Sequence, residues 1–362
     1  HSYIMSTPEV SIPKGSVVLV TGATGHIAAH TTKQFLERGY RVRGTVRDLK
    51  SAAWLTEDVF QAFAESGFLE LVHVPDLGAK HAFDQAVKGT SAIVHLASIL
   101  SFASDPGQVI PPVVEGVTSI LEAALAEPSV KSFVYTSSIV AATDINPGGV
   151  AHVGRDSWND RAVELAYAPL PDTFDPEDTL FTLDRGHVVY QASKVEAEKA
   201  VWAFVEKHKP HFSVNVVSPA TVLGEALVKR HLENPYPWVK KLYDGDEKIG
   251  ALFQAVINID VKDTALLHVA ATLDPECNGA RLHAWGGYCN MNDILAILRR
   301  LCPERKIRDD FSNQTKLGIT TDYDQQLALL KKWGGQEGWT TLEQSVADEM
   351  RGSRSGSPSN ES

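Results

Sequence analysis

Val17-Val18-Leu19-Val20-Thr21-Gly22-Ala23-Thr24-Gly25-His26-Ile27-Ala28 is the stretch on which the fold turns. Its first four residues form an unbroken apolar run, as a strand buried on both faces requires. Helical spacing follows over 27–37 and stops at Gly39. Between strand and helix lies G-x-x-G-x-x-A. Gly22 can make the tight turn, Gly25 lets the backbone approach a pyrophosphate, and Ala28 keeps the helix close to the strand. The helix N-terminus then offers unpaired N–H groups and partial positive charge to phosphates. Two glycines and an alanine alone would suit an ordinary turn equally well. Set between strand and helix, they make Thr21, Gly22, Thr24, Gly25, His26 and Ile27 candidate dinucleotide contacts.

The alternation continues outward. Short apolar runs predict strands over Arg41–Val46, 68–74, 92–96, Ser132–Thr136 and 213–217, with helices over 113–126 and 188–207. Apolar strands separated by helices imply an α/β fold, a doubly wound parallel sheet of Rossmann type. We read residues 1–14 as a tag remnant and N-terminal arm, with Met5 the natural start, and 15–220 as an NAD(P)-binding domain. A Pro-, Gly- and Asp-rich stretch over about 142–185 reads as a long surface insertion. Beyond Pro219 the pattern turns irregular, with helical spacing at Val261–Leu273 and Met291–Leu301. Residues 221–350 are expected to form a smaller, substrate-binding C-terminal region, and the Ser/Gly-rich 351–362 a disordered tail.

Bulk properties narrow the function classes. Apolar residues at 43% and charged residues at 22% are ordinary globular usage, so a core can form without disulfides or metals. A net charge of −11 argues against nucleic-acid or membrane-surface partners. No uninterrupted apolar run reaches the roughly 18–20 residues of a membrane helix. Cys277, Cys289 and Cys302 lack CxxC spacing and read as reduced thiols of a cytoplasmic protein. The histidines show no zinc spacing, so no metal is expected. His95, inside an apolar run, reads as a core residue, and His208 and His211 as surface residues. A monomer or homodimer is expected.

Cofactor choice is read at the end of the second strand, where an acid would take a ribose 2′-hydroxyl. Here Val42-Arg43-Gly44-Thr45-Val46-Arg47-Asp48 ends in a guanidinium able to grip a 2′-phosphate, with Lys50 close behind. This favours NADPH, although Asp48 is adjacent. Asp76 and Leu77 after the third strand could border the adenine. Small residues among Leu96, Ala97 and Ser98 after the fourth would leave room for the dinucleotide.

Tyr190-Gln191-Ala192-Ser193-Lys194 stands on a predicted helix, where i, i+4 spacing puts phenol and ammonium on one face. A phenol's pKa of about 10 is too high for easy ionisation, and a neighbouring ammonium, helped by a cationic nicotinamide, favours the phenolate. Tyr190 could then exchange a proton with a carbonyl oxygen while hydride passes to or from a nicotinamide, and Lys194 could anchor ribose hydroxyls. Ser138, at the end of Thr136-Ser137-Ser138, could steady the developing charge on the substrate oxygen. Phe102, Trp158 and Trp238 are candidate walls of a substrate pocket.

These residues carry a resemblance. Val18 to Gly25, Val42-Arg43-Gly44-Thr45 with Arg47, Phe133 to Ser138, Tyr190 to Glu198 and Lys209-Pro210-His211-Phe212 resemble the extended short-chain dehydrogenase/reductase superfamily. Within it the chain is similar to the dihydroflavonol-reductase-like branch that includes fungal aldehyde and carbonyl reductases, over residues 15–346. The resemblance implies Ser138, Tyr190 and Lys194 as catalytic residues and Arg47 as the contact to the NADPH phosphate. It puts Pro219 among backbone contacts near the nicotinamide, and Val222 just beyond is taken with it. Ile259-Asp260-Val261-Lys262-Asp263 resembles a family motif that precedes a C-terminal helix. Segments like the cinnamoyl-CoA reductase signature are missing around Tyr190, which argues against a phenylpropanoid role. The implied activity is NADPH-dependent reduction of an aldehyde or ketone, including activated ketones such as ketoesters. An NAD-dependent sugar-nucleotide epimerase or dehydratase shares the fold, but Arg47 speaks against it. A noncatalytic NADP-binding regulator would not need both Tyr190 and Lys194.

Overall fold

The computed structural model describes residues 9–99, 101–145, 149–170, 179–233 and 237–354. Residues 1–8 of the arm, 146–148 and 171–178 of the insertion, and 355–362 of the tail lie outside the described residues. In chain order the strands are β1 (Val17–Thr21), β2 (Arg41–Val46), β3 (Leu69–His73), β4 (Ala92–His95), β5 (Ser132–Thr136) and β6 (Val150–Val153). They continue with β7 (Ser213–Pro219), β8 (Thr221–Leu223), β9 (Val256–Asp260), β10 (Arg281–Ala284), β11 (Gly287–Cys289) and β12 (Gly318–Thr321).

A seven-stranded parallel sheet runs in the order β10-β7-β5-β4-β1-β2-β3, the doubly wound arrangement expected from the alternating sequence. The order spreads in both directions from β1, so a crevice opens at the carboxyl ends beside it, where open sheets bind ligands. Side chains of β1 alternate between the two covered faces. Val18 and Val20 join a core with Ala28 and Phe35 of the helix His26–Glu37. Leu19 joins another with Val117, Ile120 and Leu121 of the helix Pro106–Ala126 and Val201 of the helix Thr179–His208.

The glycine turn is held by its neighbours. Gly22 takes the left-handed φ of +65°, and a Cβ there would stand 3.1 Å from the Ala97 Cα. Its N–H donates to Thr45 Oγ1, and the Ala23 N–H donates to the Thr45 carbonyl. Gly44, one residue earlier on β2, leaves the space that Ala23 fills, since a Cβ on Gly44 would lie 2.8 Å from the Ala23 Cβ.

Several boundaries differ from the sequence reading, each for a local reason. The periodicity starts one helix at 113, after Pro111 and Pro112, but the structure starts it at Pro106 and carries both prolines inside. Asp105 caps it by accepting the Gly107 N–H, and its buried face offsets the backbone bonds the prolines forgo. By length and composition this helix could cross a membrane, although Glu115, Glu122 and other polar residues interrupt any single apolar run. Half of it is buried against the sheet and the long helix. The long helix starts at Thr179 rather than 188. Gly186 obscures the beginning, because glycine is a poor helix former. A Cβ at Gly186 would sit 2.1 Å from the Phe102 carbonyl oxygen, so glycine lets that backbone pack directly on the helix.

The region beyond Pro219 does not stand apart from the sheet. It supplies β10, the seventh strand, and the buried helix Val261–Leu273, whose Leu266 and Ala270 pack in the same core as Ala28 and Ala29. The stretch read as a surface insertion holds β6, paired with β12, and the helix Asp160–Tyr167. The helix Leu342–Arg354 runs into the segment read as tail. A three-stranded sheet, β11-β9-β8, completes the smaller region.

Gly44→Val should therefore destabilise the protein by about 1–3 kcal/mol through overpacking against Ala23 and Leu71, read as a lower urea midpoint. An unchanged midpoint would contradict this account of the turn.

Candidate active site

At the carboxyl ends of the central strands a groove of about 610 Å³ runs from the glycine turn to the long helix. Gly22, Thr24, Gly25 and Ile27 line its start, and Arg47 lines it at the end of β2. Asp76 and Leu77 follow β3 into it, and Leu96, Ala97 and Ser98 follow β4. Ser138, Tyr190 and Lys194 meet Pro219 and Val222 along the remaining lining. Three nominated residues fall elsewhere. Thr21 lies beneath the turn, fully buried, with its hydroxyl on His95 Nδ1 at 2.9 Å and accepting the Ala97 N–H. Lys50 is exposed and outside the groove lining. The His26 imidazole turns away to the Glu225 carbonyl, 2.7 Å from its Nε2, which His30 also reaches.

Arg47 and Asp48 part company at the groove. Arg47 lines it with an exposed side chain. Asp48 does not line it, and its carboxylate accepts the Ser51 N–H at 2.6 Å. The Ser51 hydrogen bonds hold the Asp48 carboxyl below the usual carboxylate range. The acid that clouded the sequence reading is thus the cap of the next turn.

The strand β5 ends at Thr136, and Ser138 follows in extended backbone as the N-cap of the short helix Ile139–Ala142. Its hydroxyl hydrogen-bonds the Tyr190 phenol. Burial pushes the Tyr190 pKa up, and the Ser138 hydrogen bond offsets this only in part. The Lys194 ammonium lies 6.0 Å from the centre of the Tyr190 ring. Burial outweighs the Ser138 hydrogen bond, so the phenol is held above its ordinary pKa. Lys194 is 5% exposed, and burial pulls its pKa down to about 8 against the opposing pull of Glu198. Its Nζ donates to Ser98 Oγ at 3.2 Å. His95, behind it, is buried against Tyr135, and burial lowers its pKa to about 3.

Sequence reasoning missed Glu198 and Arg281. Glu198 stands one turn after Lys194, fully buried, and accepts the Ser137 hydroxyl at 2.5 Å. Its other oxygen accepts Arg281 Nε at 2.6 Å from β10. Arg281 also donates to the carbonyls of Arg155 and Ser157, and its guanidinium lies over Trp158, 4.1 Å from the ring centre. Glu198 sits within the quoted Tyr190-to-Glu198 run, but its partner is 83 residues away and no local pattern marks it. Trp158 therefore packs on this pair.

The groove opens beside Ser138 and Tyr190 into a second cavity of about 480 Å³. Phe102 and Trp238, both candidates from the sequence, line it with Ile139, Val140, Ile145 and Phe253. Trp238 and Phe253 pack with ring centres 4.2 Å apart and planes inclined at 52°.

Glu198→Ala should cost about 3–5 kcal/mol, because it leaves the Arg281 cation buried without its partner. The double variant Glu198→Gln, Arg281→Met should recover much of that loss in chemical denaturation. Equal midpoints for the single variant and the unsubstituted chain would refute the pairing.

A model of the 3-beta hydroxysteroid dehydrogenase/isomerase family matches residues 19–168. Aldehyde reductase 2 of Sporidiobolus salmonicolor is 34% identical over 93% of this chain and 96% of its own length. An Aspergillus terreus protein named NAD-dependent epimerase/dehydratase terH is 35% identical over 94% and 98%. Among solved structures, the yeast methylglyoxal/isovaleraldehyde reductase complexed with NADPH is 28% identical. It superposes with a TM-score of 0.76 over 93% of this chain and 97% of that one. On its likeness to Aldehyde reductase 2 along nearly the whole of both chains, the chain belongs to the short-chain dehydrogenase/reductase superfamily, in the same family as that reductase.

Proposed function

We propose that the chain reduces aldehydes and ketones to alcohols with NADPH. One observation carries this reading: the Ser138 and Tyr190 hydroxyls and the Lys194 ammonium meet where the dinucleotide groove opens into an apolar cavity. The relatives named as aldehyde reductase and ketoreductase support it.

The residues present fit the dinucleotide. Gly22 lets the turn pack closely on Ala97, and the helix starting at His26 directs its first N–H groups toward a pyrophosphate. Arg47 is free of Asp48 and suits a 2′-phosphate, which makes the cofactor NADPH. Lys194, buried with Ser98 as its hydrogen-bond partner, has donors left for ribose hydroxyls.

When bound, NADPH supplies the hydride. Ser138 orients the substrate oxygen through its hydroxyl, and Tyr190 gives up its phenolic proton to that oxygen. A phenol kept protonated by burial is a competent donor, and Lys194 offsets the charge left on Tyr190 Oη once the proton has gone. The substrate enters from the side formed by 221–350. A cytosolic monomer or homodimer suits the buried thiols of Cys277 and Cys289. The epimerase/dehydratase name of the Aspergillus terreus relative raises a sugar-nucleotide alternative. A diphosphate would need cations in the second cavity, and among the described residues neither Lys nor Arg lines it.

Tyr190→Phe should lower kcat by about 10²–10⁴-fold, the contribution of a placed general acid, while NADPH still binds by fluorescence titration. Full activity would rule out this role. Arg47→Ala should raise KM for NADPH by about tenfold and narrow the preference over NADH. Because burial lowers the Lys194 pKa to about 8, the ammonium is lost as pH rises through that value. The kcat/KM should therefore fall above about pH 8, and a profile flat to pH 10 would show that Lys194 does not act as a cation.

A further inference from the structure

Three imidazoles meet behind the glycine turn. His26 and His30 stand on the helix His26–Glu37, and their Nε2 atoms both reach the Glu225 carbonyl, at 2.7 and 2.8 Å. His231, on the short helix Lys229–Glu233, brings its Nε2 to 3.1 Å from the Thr24 carbonyl. Ring centres lie 5.5 Å apart for His26 and His30 and 5.1 Å for His26 and His231. Trp54 packs edge-on against His231 at 5.6 Å. Thr24 lines the dinucleotide groove, so the cluster fastens a segment of the smaller region, 224–233, to the phosphate-binding turn. Arg230 of the same segment donates to the Ser51 carbonyl at 3.5 Å, in the turn that follows Arg47. Gly224, with a φ of +121°, begins the segment.

A carbonyl only accepts, so each Nε2 must carry the proton and each Nδ1 must be bare. Protonating a ring would add a second N–H and a charge to a packed cluster. His231 Nδ1 is buried with no hydrogen-bond partner among the described residues, so a proton there would go unsatisfied. Lys33 on the first helix and Arg230 beside His231 also oppose a further cation. The Glu225 carboxylate favours one at His26, but it is shared with Lys262 Nζ at 3.7 Å. Lys262 in turn pairs with Asp348 of the last helix, where Glu349 accepts the Gly224 N–H. Burial prevails at the imidazoles: it lowers His26, brings His30 down to about 3 and His231 to about 4. We propose that His26, His30 and His231 are positioning residues that fasten segment 224–233 to the cofactor turn while neutral, and that acid unfastens it and weakens dinucleotide binding. The inference rests on the NADPH reading of the groove and adds a regulation to it.

Released, each imidazole returns to a pKa of about 6.5. The fastened values lie below that, so fastening holds above pH 6.5 and weakens as pH falls, with one proton taken up per histidine released. Glu349 runs the other way. Burial raises its pKa to about 7, and on release it returns to about 4 and gives its proton up. Three protons gained and one lost leave about two, so release should rise about a hundredfold per pH unit between about pH 6.5 and 4.5.

The test pairs hydrogen exchange with cofactor binding on the purified full chain. Exchange read by mass spectrometry between about pH 7.5 and 5, without cofactor and corrected for the intrinsic pH dependence of exchange, follows release of 224–233 directly. Calorimetry with NADP⁺ over the same range reads its consequence. We expect exchange in 224–233 to speed up by about a hundredfold per pH unit below pH 6.5 while β1 and β5 stay protected. In His231→Gln the amide nitrogen still offers a donor to the Thr24 carbonyl but does not titrate, so the rise should drop to about tenfold per unit. NADP⁺ affinity should fall with acid more steeply in the unsubstituted chain than in that variant. The 2′-phosphate itself titrates near pH 6 in both proteins, so the difference between their slopes is what counts. Exchange on the unsubstituted chain decides the matter even if the variant folds poorly. Exchange in 224–233 that ignores pH, with NADP⁺ bound at neutral pH, would overturn the inference and leave the reductase reading standing. Equal pH dependence in His231→Gln, or loss of protection across the whole sheet at the same pH, would overturn it as well. Acid release of 224–233 with no NADP⁺ binding at any pH would support the fastening role of the histidines and overturn the NADPH reading of the groove.

Discussion

The Glu198 carboxylate is the point through which the site is assembled. It is fully buried, and its two oxygens join Ser137 beyond β5, the helix that bears Tyr190 and Lys194, and Arg281 on β10. Through Arg281 the same charge reaches the backbone at Arg155 and Ser157. Taking two charges out of water is expensive, and the cost is offset only where hydrogen bonds fill the remaining lone pairs and donors. Glu198 and Arg281 meet that condition with four further groups, counting the Trp202 Nε1–H that also reaches Glu198. The pair ties Ser138's neighbour to the helix of its partners. A shift in either element would break hydrogen bonds to a buried charge, so the distance between serine and phenol is stiffly set.

Burial also sets the protonation states. It raises the phenol of Tyr190 and lowers the ammonium of Lys194, in each case favouring the uncharged form. Glu198 opposes it at Lys194, and the Ser138 hydroxyl opposes it at Tyr190. The result is a proton donor that stays loaded and a lysine poised near neutral pH. On the proposed reading the loaded phenol suits reduction, where a proton must leave it, while Lys194 serves only below about pH 8, where it keeps its charge.

The fold was legible because it is written in local patterns. β1, the glycine turn and the helix that follows are contiguous, and Ser138 and Tyr190 stand at identifiable strand and helix positions. Groove residues such as Arg47, Leu77 and Ala97 could be placed because the ends of parallel strands converge. What failed to show depends on distant partners. β10 is a four-residue strand with no flanking pattern, and only its pairing with β7 makes it part of the sheet. The start of the long helix hides behind Gly186, a residue chosen for its contact with Phe102 and not for helix propensity. The partners of the Thr21 and His26 side chains were hidden for a similar reason. Sequence places them at the turn but cannot say whether their side chains face the groove or the scaffold.

The two cavities differ in how much chemistry they fix in advance. The dinucleotide groove is lined by short backbone segments at strand ends, so its shape follows from the sheet. The second cavity draws Phe102, Ile145, Trp238 and Phe253 from segments that no single strand positions. Ser138, Tyr190 and Lys194 are held from the opposite side by Glu198 and the central sheet, while the outer wall at Ile145, Trp238 and Phe253 comes from other segments. Relatives with aldehyde-reductase and ketoreductase names are compatible with this division. A rigid proton-transfer site with a separately built apolar wall allows the substrate to vary while the reaction stays the same.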